Sequence, residues 1–263
     1  MTKRHFGELI AAKWAEGKFV CVGLDVKKAN FPDNEDNQPV LNFIKKIVDQ
    51  THDTVCAYKP NFGFYLPFGP RGIQILRNAV AYIHNVAPDV PVILDGKFGD
   101  IGDTNEAYVD FAFEYLKADA MTASAYPGLE ALEPFFAYKD KGIFVLCKTS
   151  NPGSDEFQDF SERSGRPLYL KLLQNLVDKR NTLGNCGVVA GATYPAELES
   201  IRRTAPNLPL LIPGIGKQGG SLEKVVRAAK RRFIINSSRN ILNADDPKAR
   251  TLELHNKILE LLR

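Results

Sequence analysis

Short apolar runs recur along the chain, and amphipathic segments separate them. Eight runs are continuous enough to be strands covered on both faces, as the strands of parallel sheets are. They comprise residues 19–24, 54–58, 90–94, 120–123, 142–147, 186–190, 208–212 and 232–235. Apolar spacings of three and four predict helices over residues 2–16, 40–48, 72–86, 105–116, 168–179, 196–203, 222–229 and 248–262.

Strands that alternate with helices in this way are typical of an α/β protein. Eight strands without a shift in composition predict a (β/α)8 TIM barrel with an extra N-terminal helix, as a single domain over residues 1–263. A doubly wound open sheet is the alternative, and the strand count favours the barrel. Two polar loops, residues 30–39 and 151–167, follow the first and fifth strands and are candidate lids.

The most informative polar segment follows the third apolar run. There Asp95, Lys97 and Asp100 form the pattern D-x-K-x-x-D. Charged groups at a strand end are costly unless they pair or take part in chemistry. Because side chains alternate along a strand, Asp95 and Lys97 should point to the same side. A lysine held between two carboxylates stays protonated, which suits an acid or an electrostatic anchor and opposes nucleophilic attack.

Polar residues also follow other predicted strands, and a barrel would bring them to one pocket at its C-terminal end. They are Asp25, Lys59, Asn61, Thr149, Ser150 and Arg239. The segment P-G-I-G-K-Q-G-G-S over residues 213–221 follows the seventh run and opens a helix, where backbone N–H groups favour an anion. Arg239 suits a bidentate phosphate contact. The pattern therefore predicts a phosphorylated ligand.

Composition, charge and cysteine pattern limit the classes of protein to which the chain can belong. The 263 residues are 44% hydrophobic and carry a net charge of +3, which is ordinary for a globular protein and gives no indication of nucleic acid. The basic residues between 224 and 232 are interpreted as a solvated helix face. No signal-like block opens the chain, and no apolar run approaches the ~18 residues that span a membrane. The four cysteines form no C-x-x-C pair, so we expect buried, reduced thiols in a cytoplasmic protein: Cys21, Cys56, Cys147 and Cys186.

Several catalytic patterns are absent from the sequence. The histidines fall in predicted helical stretches away from strand ends, which argues against a histidine base. The sequence has no H-E-x-x-H motif or His-carboxylate cluster for a transition metal, no G-x-S-x-G elbow and no Walker loop. The chemistry is therefore expected to rest on lysine and aspartate.

Taken together, the motifs resemble those of the orotidine 5′-phosphate decarboxylase family. Residues 92–104 match its D-x-K-x-x-D-I-G-x-T pattern without a gap, and residues 22–25, 57–61, 148–153, 213–220 and 237–239 match companion motifs in family order. The residues in these motifs resemble those of the longer second subfamily, which is found in many bacteria and some eukaryotic parasites. The resemblance implies conversion of orotidine 5′-monophosphate to uridine 5′-monophosphate and CO2, the last step of de novo pyrimidine synthesis. It also implies that no metal or organic cofactor is used.

The resemblance further implies roles for individual residues. Lys97 would stabilise the carbanion and protonate it, and Asp95 would lie against the substrate carboxylate. Asp100 and Thr104 would reach into the neighbouring subunit's site, so that the working protein is a homodimer. The implied catalytic residues are Lys97, Asp95, Asp100 and Lys59.

The implied substrate-binding residues divide by the part of the nucleotide that they hold. Asp25 and Asn61, with Lys59, would hold the ribose and the charge network, and Ser150 would bond the pyrimidine amide edge. Gln218 and Arg239 would grip the phosphate. The full implied set is Asp25, Asn61, Ile101, Thr104, Ser150, Pro213, Gln218 and Arg239.

Three alternatives stay open at this point. A Mg²⁺-dependent phosphosugar decarboxylase or aldolase of the same barrel type also carries D-x-K-x-x-D, but it usually has an acidic residue where this chain has Lys59. A Schiff-base aldolase would use Lys97 or Lys59 as its nucleophile. A non-catalytic nucleotide- or nucleic-acid-binding module would leave the Asp-Lys-Asp pattern without a purpose.

Overall fold

The structure is a computed structural model that describes residues 4–32, 36–161, 163, 165–215 and 219–263. Its strands are β1 (Val20–Gly23), β2 (Val55–Lys59), β3 (Ile93–Phe98), β4 (Ala120–Ala123), β5 (Gly142–Lys148), β6 (Cys186–Ala190), β7 (Leu210–Ile212) and β8 (Phe233–Ser237). They pair in parallel in the order β2-β1-β8-β7-β6-β5-β4-β3. Bridges Tyr58–Val92 and Asn61–Asp95 join β2 to β3 and close the sheet. The predicted barrel is therefore confirmed.

Helices connect the strands on the outside of the barrel. They are α1 (Phe6–Ala15), α2 (Gln38–Thr51), α3 (Pro70–Val86), α4 (Gly102–Val109), α5 (Glu133–Phe136), α6 (Asp155–Gln158), α7 (Leu168–Asn175), α8 (Pro195–Thr204), α9 (Leu222–Ala229), α10 (Arg239–Leu242) and α11 (Pro247–Leu262). Two of them continue as π-helical segments, α4 over Asp110–Tyr115 and α7 over Leu176–Arg180. Each predicted helix has its counterpart, including the extra one at the N-terminus.

The structure corrects three details of the sequence interpretation. First, β3 continues through Asp95 and Lys97 to Phe98 instead of ending at the apolar run. Second, the short helix α5 lies between β4 and β5, where no helix was predicted. Third, the segment 151–167, expected to be a surface loop, contains a 3-10 turn and the helix α6. A helix of four residues is too short to show a periodicity, which explains the second and third differences.

The apolar runs are continuous because both faces of each strand are covered. On β1, Val20 and Val22 pack outward in the cluster between sheet and helices, whereas Cys21 packs inward in the cluster that fills the barrel. All four cysteines are free and buried, as predicted. In the described part of the chain, no helix combines the length and the apolar character needed to cross a membrane.

The helix α1 covers the N-terminal end of the barrel. Its residues Phe6 and Ile10 belong to the inner cluster, and the ring of Phe6 meets the ring of Phe144 edge-on at 5.6 Å. The indole N–H of Trp14 donates to the carbonyl of Phe233 over 2.9 Å. These contacts hold α1 against the N-terminal end of the barrel, where Phe6, Ile10 and Trp14 also line a cavity of about 870 Å³.

Candidate active site

A cavity of about 280 Å³ lies at the C-terminal end of the barrel, and all eight strands or the segments that follow them contribute to its walls. Its floor contains apolar side chains of β5, β6 and β7, namely Leu146, Val189 and Leu211, and polar groups surround them. The structure places most of the predicted site residues on this lining: Asp25, Lys59, Asn61, Asp95, Lys97, Thr149, Ser150, Pro213 and Arg239.

Asp95 lies at the centre of the polar side of the cavity. The Nζ of Lys59 is 2.5 Å from its Oδ2, and the Nζ of Lys97 is 2.6 Å from its Oδ1. The amide nitrogen of Asn61 lies 3.5 Å from Oδ2, and the hydroxyl of Thr122 donates to Oδ1 over 3.0 Å. Both carboxylate oxygens therefore have partners, and the two ammonium groups are held on opposite sides of one carboxylate.

The surroundings of Asp95 and Lys59 keep both side chains ionised. Burial alone would raise the pKa of Asp95, but the two lysines outweigh it and hold that pKa well below its usual range. Burial alone would lower the pKa of Lys59, but the carboxylates of Asp95 and Asp25 outweigh it and hold that pKa above its ordinary value. The side chain of Lys59 is 4% exposed and that of Lys97 is 45% exposed. Lys97 is thus the more accessible of the two ammonium groups.

The backbone that carries Lys97 departs from a regular strand. Lys97 has a φ of 51°, in the left-handed region that non-glycine residues rarely occupy. Its N–H donates to the hydroxyl of Thr122 over 2.9 Å. At Gly96, a Cβ would come within 2.0 Å of the ring of Phe98, so that this close approach requires glycine. The side chains of Asp95 and Lys97 do meet, as predicted, although strand alternation alone does not account for their contact.

Three predicted residues lie outside the cavity of their own chain. Asp100, Ile101 and Thr104 follow β3 at the rim, where Ile101 is 65% exposed and Thr104 lies on the exposed side of α4. The N–H of Asp100 donates to Oδ1 of Asn105 over 2.9 Å, and the amide nitrogen of Asn105 donates to the carbonyl of Asp100 over 2.6 Å. Asn105 is fully buried, so it fixes this turn firmly.

The side of the cavity that the sequence analysis assigned to a phosphate is formed by the segments after β7 and β8. Pro213, Gly214 and Ile215 line it from one strand, and Ser238 and Arg239 line it from the other. Arg239 is the first residue of α10 and is exposed. Gln218, which the sequence analysis assigned to the phosphate, lies outside the described residues, as do its neighbours 216 and 217.

The segment that carries Ser150 is held from two sides. The N–H of Thr149 donates to Oε1 of Gln158 over 2.9 Å, and Nε2 of Gln158 donates to the Thr149 hydroxyl over 2.8 Å. From the segment after β6, the hydroxyl of Thr193 donates to the carbonyl of Ser150 over 3.2 Å. A Cβ at Gly191 would meet the backbone of Ser150 at 2.8 Å, so this approach also requires glycine.

Sequence reasoning missed several residues of the lining. Thr122 was taken as part of a short apolar run, and its single hydroxyl gave no motif. Asn236, which directly follows the eighth apolar run, was not singled out, yet it lines the cavity and keeps its Oδ1 buried without a hydrogen-bond partner. Asp25 keeps its Oδ1 in the same condition. Within the described ranges, no group of three or more His, Cys, Asp or Glu side chains is placed to hold a metal ion.

Comparison with known proteins adds independent evidence. The model of the family described as "Orotidine 5'-phosphate decarboxylase / HUMPS family" matches residues 18–254. The chain belongs to this family. An orotidine 5′-phosphate decarboxylase of Roseiflexus castenholzii is 47% identical over 91% of this chain and 89% of that protein. The one of Herpetosiphon aurantiacus is 43% identical over 89% of this chain and 87% of that protein.

Solved structures of the orotidine 5′-phosphate decarboxylase family share the fold. The OMP decarboxylase of Leishmania donovani is 37% identical, with a TM-score of 0.88 over 98% of this chain and 99% of that one. The UMP synthase of the same organism is 39% identical with a TM-score of 0.90, and this chain spans 57% of it. The enzyme of Methanocaldococcus jannaschii, at 23% identity and a TM-score of 0.69, supports the fold alone.

Proposed function

We propose that this chain decarboxylates orotidine 5′-monophosphate to uridine 5′-monophosphate, the final step of de novo UMP synthesis. The observation that carries the proposal is the arrangement of Lys59, Asp95 and Lys97, with one carboxylate between two ammonium groups at the wall of a nucleotide-sized barrel cavity. The relatives that match most of the chain at 43% and 47% identity bear the name of this enzyme.

The cluster can stabilise the charge that forms in this reaction. Loss of CO2 leaves an electron pair on the pyrimidine carbon, and a fixed ammonium beside that carbon stabilises it without reorganising. Lys97 is the more exposed of the two ammonium groups, and we assign it this role together with the delivery of the proton. Asp95 holds Lys97 in place and faces the substrate carboxylate, while Lys59 keeps Asp95 ionised.

Contacts with the parts of the nucleotide that do not react supply binding energy. We assign the phosphate to Arg239 and to the glycine-rich segment after β7, together with Gln218. The ribose hydroxyls are assigned to Asp25 and Asn61, and the unpartnered oxygen of Asp25 supports this assignment because it offers an acceptor. Ser150 is assigned to the pyrimidine edge.

Two further substrate-binding residues, Pro213 and Ile101, are assigned from their places in the fold. Pro213 lies on the cavity wall after β7, and we assign it to an apolar contact with the nucleotide. Ile101 lies outside the cavity of its own chain, and we assign it to a site shared with a partner.

We further propose that the working protein is a homodimer in which Asp100 and Thr104 complete the partner's site. Both residues lie outside their own cavity, on a rim where Ile101 is 65% exposed. Nearby, the rings of Phe98 and Tyr108 stack at 4.7 Å and provide an apolar surface for a second copy. The free, buried cysteines support a reducing location, and we assign the enzyme to the cytoplasm.

The Mg²⁺-dependent phosphosugar enzymes are the second candidate, because the family description names both groups. Both oxygens of Asp95 are already engaged by Lys59 and Lys97, and these two ammonium groups would repel a dication. A Schiff-base aldolase needs a free amine, whereas Lys97 lies in a 2.6 Å ion pair. The contacts therefore favour the decarboxylase.

The proposed function is tested by mixing the purified protein with orotidine 5′-monophosphate in excess EDTA. We expect loss of the ultraviolet band of the substrate and formation of uridine 5′-monophosphate, identified by chromatography. A folded protein that leaves this substrate intact, but releases CO2 from 3-keto-gulonate 6-phosphate when Mg²⁺ is added, would replace the proposal with the phosphosugar reaction.

A further inference from the structure

Thr122 joins the backbone of the D-x-K segment to its carboxylate. It lies on β4, is 1% exposed, and lines the cavity. Its hydroxyl accepts a hydrogen bond from the N–H of Lys97 at 2.9 Å and donates one to Oδ1 of Asp95 at 3.0 Å. A hydroxyl has one proton to donate, so the direction of both bonds is fixed.

The pairing of β3 with β4 shows why this hydroxyl is needed. The ladder pairs Leu94 with Met121 and resumes only at Phe98, which pairs with Ala123. The intervening segment, from Asp95 to Lys97, has left the register, as in a bulge. A backbone N–H that leaves a ladder must find another partner if it is to be buried at low cost. For Lys97 that partner is a side chain of the neighbouring strand.

We propose that Thr122 is a positioning residue of the reaction, which holds the left-handed turn at Lys97 and the carboxylate of Asp95 in one fixed relation. The inference rests on the proposed function, because it concerns the distance from the Lys97 ammonium to the reacting carbon. The proton is assigned to the Lys97 ammonium and not to Thr122, whose hydroxyl proton is donated to Asp95. Its effect passes through Lys97 and Asp95, which it keeps within 2.6 Å of each other.

We expect that loss of the Thr122 hydroxyl slows the chemical step. The φ of 51° at Lys97 is a strained conformation that persists only while its surroundings enforce it. Without the hydroxyl, the N–H of Lys97 loses its partner, and the turn can relax toward an ordinary strand. A displacement of about 1 Å at a catalytic group costs roughly 100-fold in rate. Binding of the phosphate and the ribose should change little, because the residues assigned to them follow other strands.

The test compares Thr122→Val, which removes the hydroxyl at nearly constant volume, with Thr122→Ser, which keeps it. Met121→Leu, on the opposite face of the same strand, controls for disturbance of β4. For Thr122→Val we expect kcat to fall roughly 10- to 100-fold, while KM and the affinity for uridine 5′-monophosphate stay within about threefold. Thr122→Ser and Met121→Leu should retain nearly all of the wild-type kcat. Thr122→Ala also lacks the hydroxyl and should reproduce the loss if the valine variant does not fold.

The possible outcomes distinguish a failure of the proposed function from a failure of the role assigned to Thr122. A wild-type protein that does not turn over the nucleotide contradicts the proposed function, whereas a fully active wild type with an equally active Thr122→Val contradicts the role of Thr122. Equal losses in the valine and serine variants also overturn it, because they would show that packing matters and the hydroxyl does not. A crystal structure of Thr122→Val provides a readout that needs no activity. The account expects the φ of Lys97 or its contact with Asp95 to change, and an unchanged segment would overturn it.

Discussion

Asp95 organises the site at the scale of single residues. It is 7% exposed and has a lysine on each oxygen, so its charge is neutralised locally while both ammonium groups are kept in fixed positions. Breaking a buried ion pair by removing one partner is strongly destabilising. Lys59, at 4% exposure, is therefore expected to support the structure as well as the chemistry, whereas the more exposed Lys97 is free to serve the reaction.

Arg239 allows the assignment of the phosphate to be tested separately from the chemistry. It is exposed at the start of α10, so its removal should not disturb the core. For Arg239→Ala we expect the affinity for uridine 5′-monophosphate to fall by about 2 kcal/mol, or roughly 30-fold, because a charge-assisted hydrogen bond is lost. The affinity for uridine, which has no phosphate, should not change. Calorimetric titration with both ligands measures this, and equal losses for the two would contradict the assignment.

The sequence predicted that Asp95 and Lys97 meet, but it placed the lysine between two carboxylates, whereas the structure places the Asp95 carboxylate between two lysines. Asp95 and Lys97 were expected on the same side from strand alternation, and they are in contact. The structure reaches this contact through a left-handed residue and an interrupted ladder, which no periodicity shows. Thr122 was missed because one hydroxyl in an apolar strand has no local signature. Its partners are 25 and 27 positions away in sequence.

At the scale of elements, contacts within the connection after β5 fix the position of Ser150. The buried Lys148 at the end of β5 pairs with Asp159 over 2.7 Å, and its Nζ lies 4.6 Å from the ring centre of Tyr194. Together with the bonds between Gln158 and Thr149, this contact holds α6 against the end of the strand. The position of Ser150 thus depends on residues up to 44 positions further along the chain.

Gln158 provides a test of this connection. In Gln158→Ala, the N–H of Thr149 loses its partner, and Ser150 is no longer fixed from that side. We expect the affinity for the pyrimidine to fall by about 1 kcal/mol, so that KM rises roughly fivefold while kcat changes less. Glu156→Ala, an exposed change on the same short helix, is the matched control. Steady-state kinetics measure both, and equal KM values in the two variants would show that Gln158 does not position Ser150.

The elements themselves were largely predictable because long amphipathic helices and buried strands have strong periodic patterns. The exceptions are instructive. The helices α5 and α6 have four residues each, which is about one turn, so their patterns are too short to detect. The end of β3 was set too early because Asp95, Gly96 and Lys97 are charged or small, whereas pairing with β4 resumes at Phe98.

At the scale of the whole molecule, a buried carboxylate ties the N-terminal segment to the barrel. Asp119 accepts hydrogen bonds from the guanidinium of Arg4 at 2.7 and 3.0 Å and from the N–H of Val92 at 2.8 Å, and it lies 3.0 Å from Nε2 of His84. Burial alone would raise the pKa of Asp119, but these partners hold it at about 2, below the ordinary value of 3.8. Its contribution to stability is therefore full above pH 4 and is lost as the pH falls toward 2.

Removing this carboxylate should destabilise the barrel without touching the site. For Asp119→Asn we expect the free energy of unfolding at pH 7 to fall by about 3 kcal/mol, because buried partners are left unpaired. The difference from the wild type should shrink between pH 4 and pH 2, where the wild-type carboxylate takes up a proton. Urea unfolding at several pH values measures this, with Asp53→Asn, whose side chain is 80% exposed, as the control. A difference that stays constant down to pH 2 would contradict the account.

The shared site is tested by mixing two inactive variants. Lys97→Ala and Asp100→Ala each damage every site of their own homodimer, but a mixed dimer has one site with both residues intact. After unfolding and refolding an equal mixture, we expect activity to return to about one quarter of the wild-type value, as random pairing predicts. Each variant refolded alone is the control. A mixture that stays as inactive as its components would contradict the sharing of Asp100 across subunits.

The fold and the convergence of its polar strand ends followed from the sequence because a barrel with eight strands leaves few other arrangements. The place of Asp100, Ile101 and Thr104 did not follow from local pattern. They lie outside the cavity of their own chain, and the role that we propose for them requires a second copy of the chain, which the periodicity of one chain cannot show.

The central claim is that the Lys97 ammonium performs the chemical step, and the most direct measurement compares Lys97→Ala with the wild type in kcat and in affinity for uridine 5′-monophosphate. For Lys97→Ala we expect a loss of roughly 10⁴-fold or more in kcat, because an electrostatic stabiliser and a proton donor are removed together. The affinity for the product should stay within about tenfold, since phosphate and ribose contacts remain. A variant that keeps kcat within tenfold of the wild type, or that loses kcat only as far as it loses affinity, would contradict it.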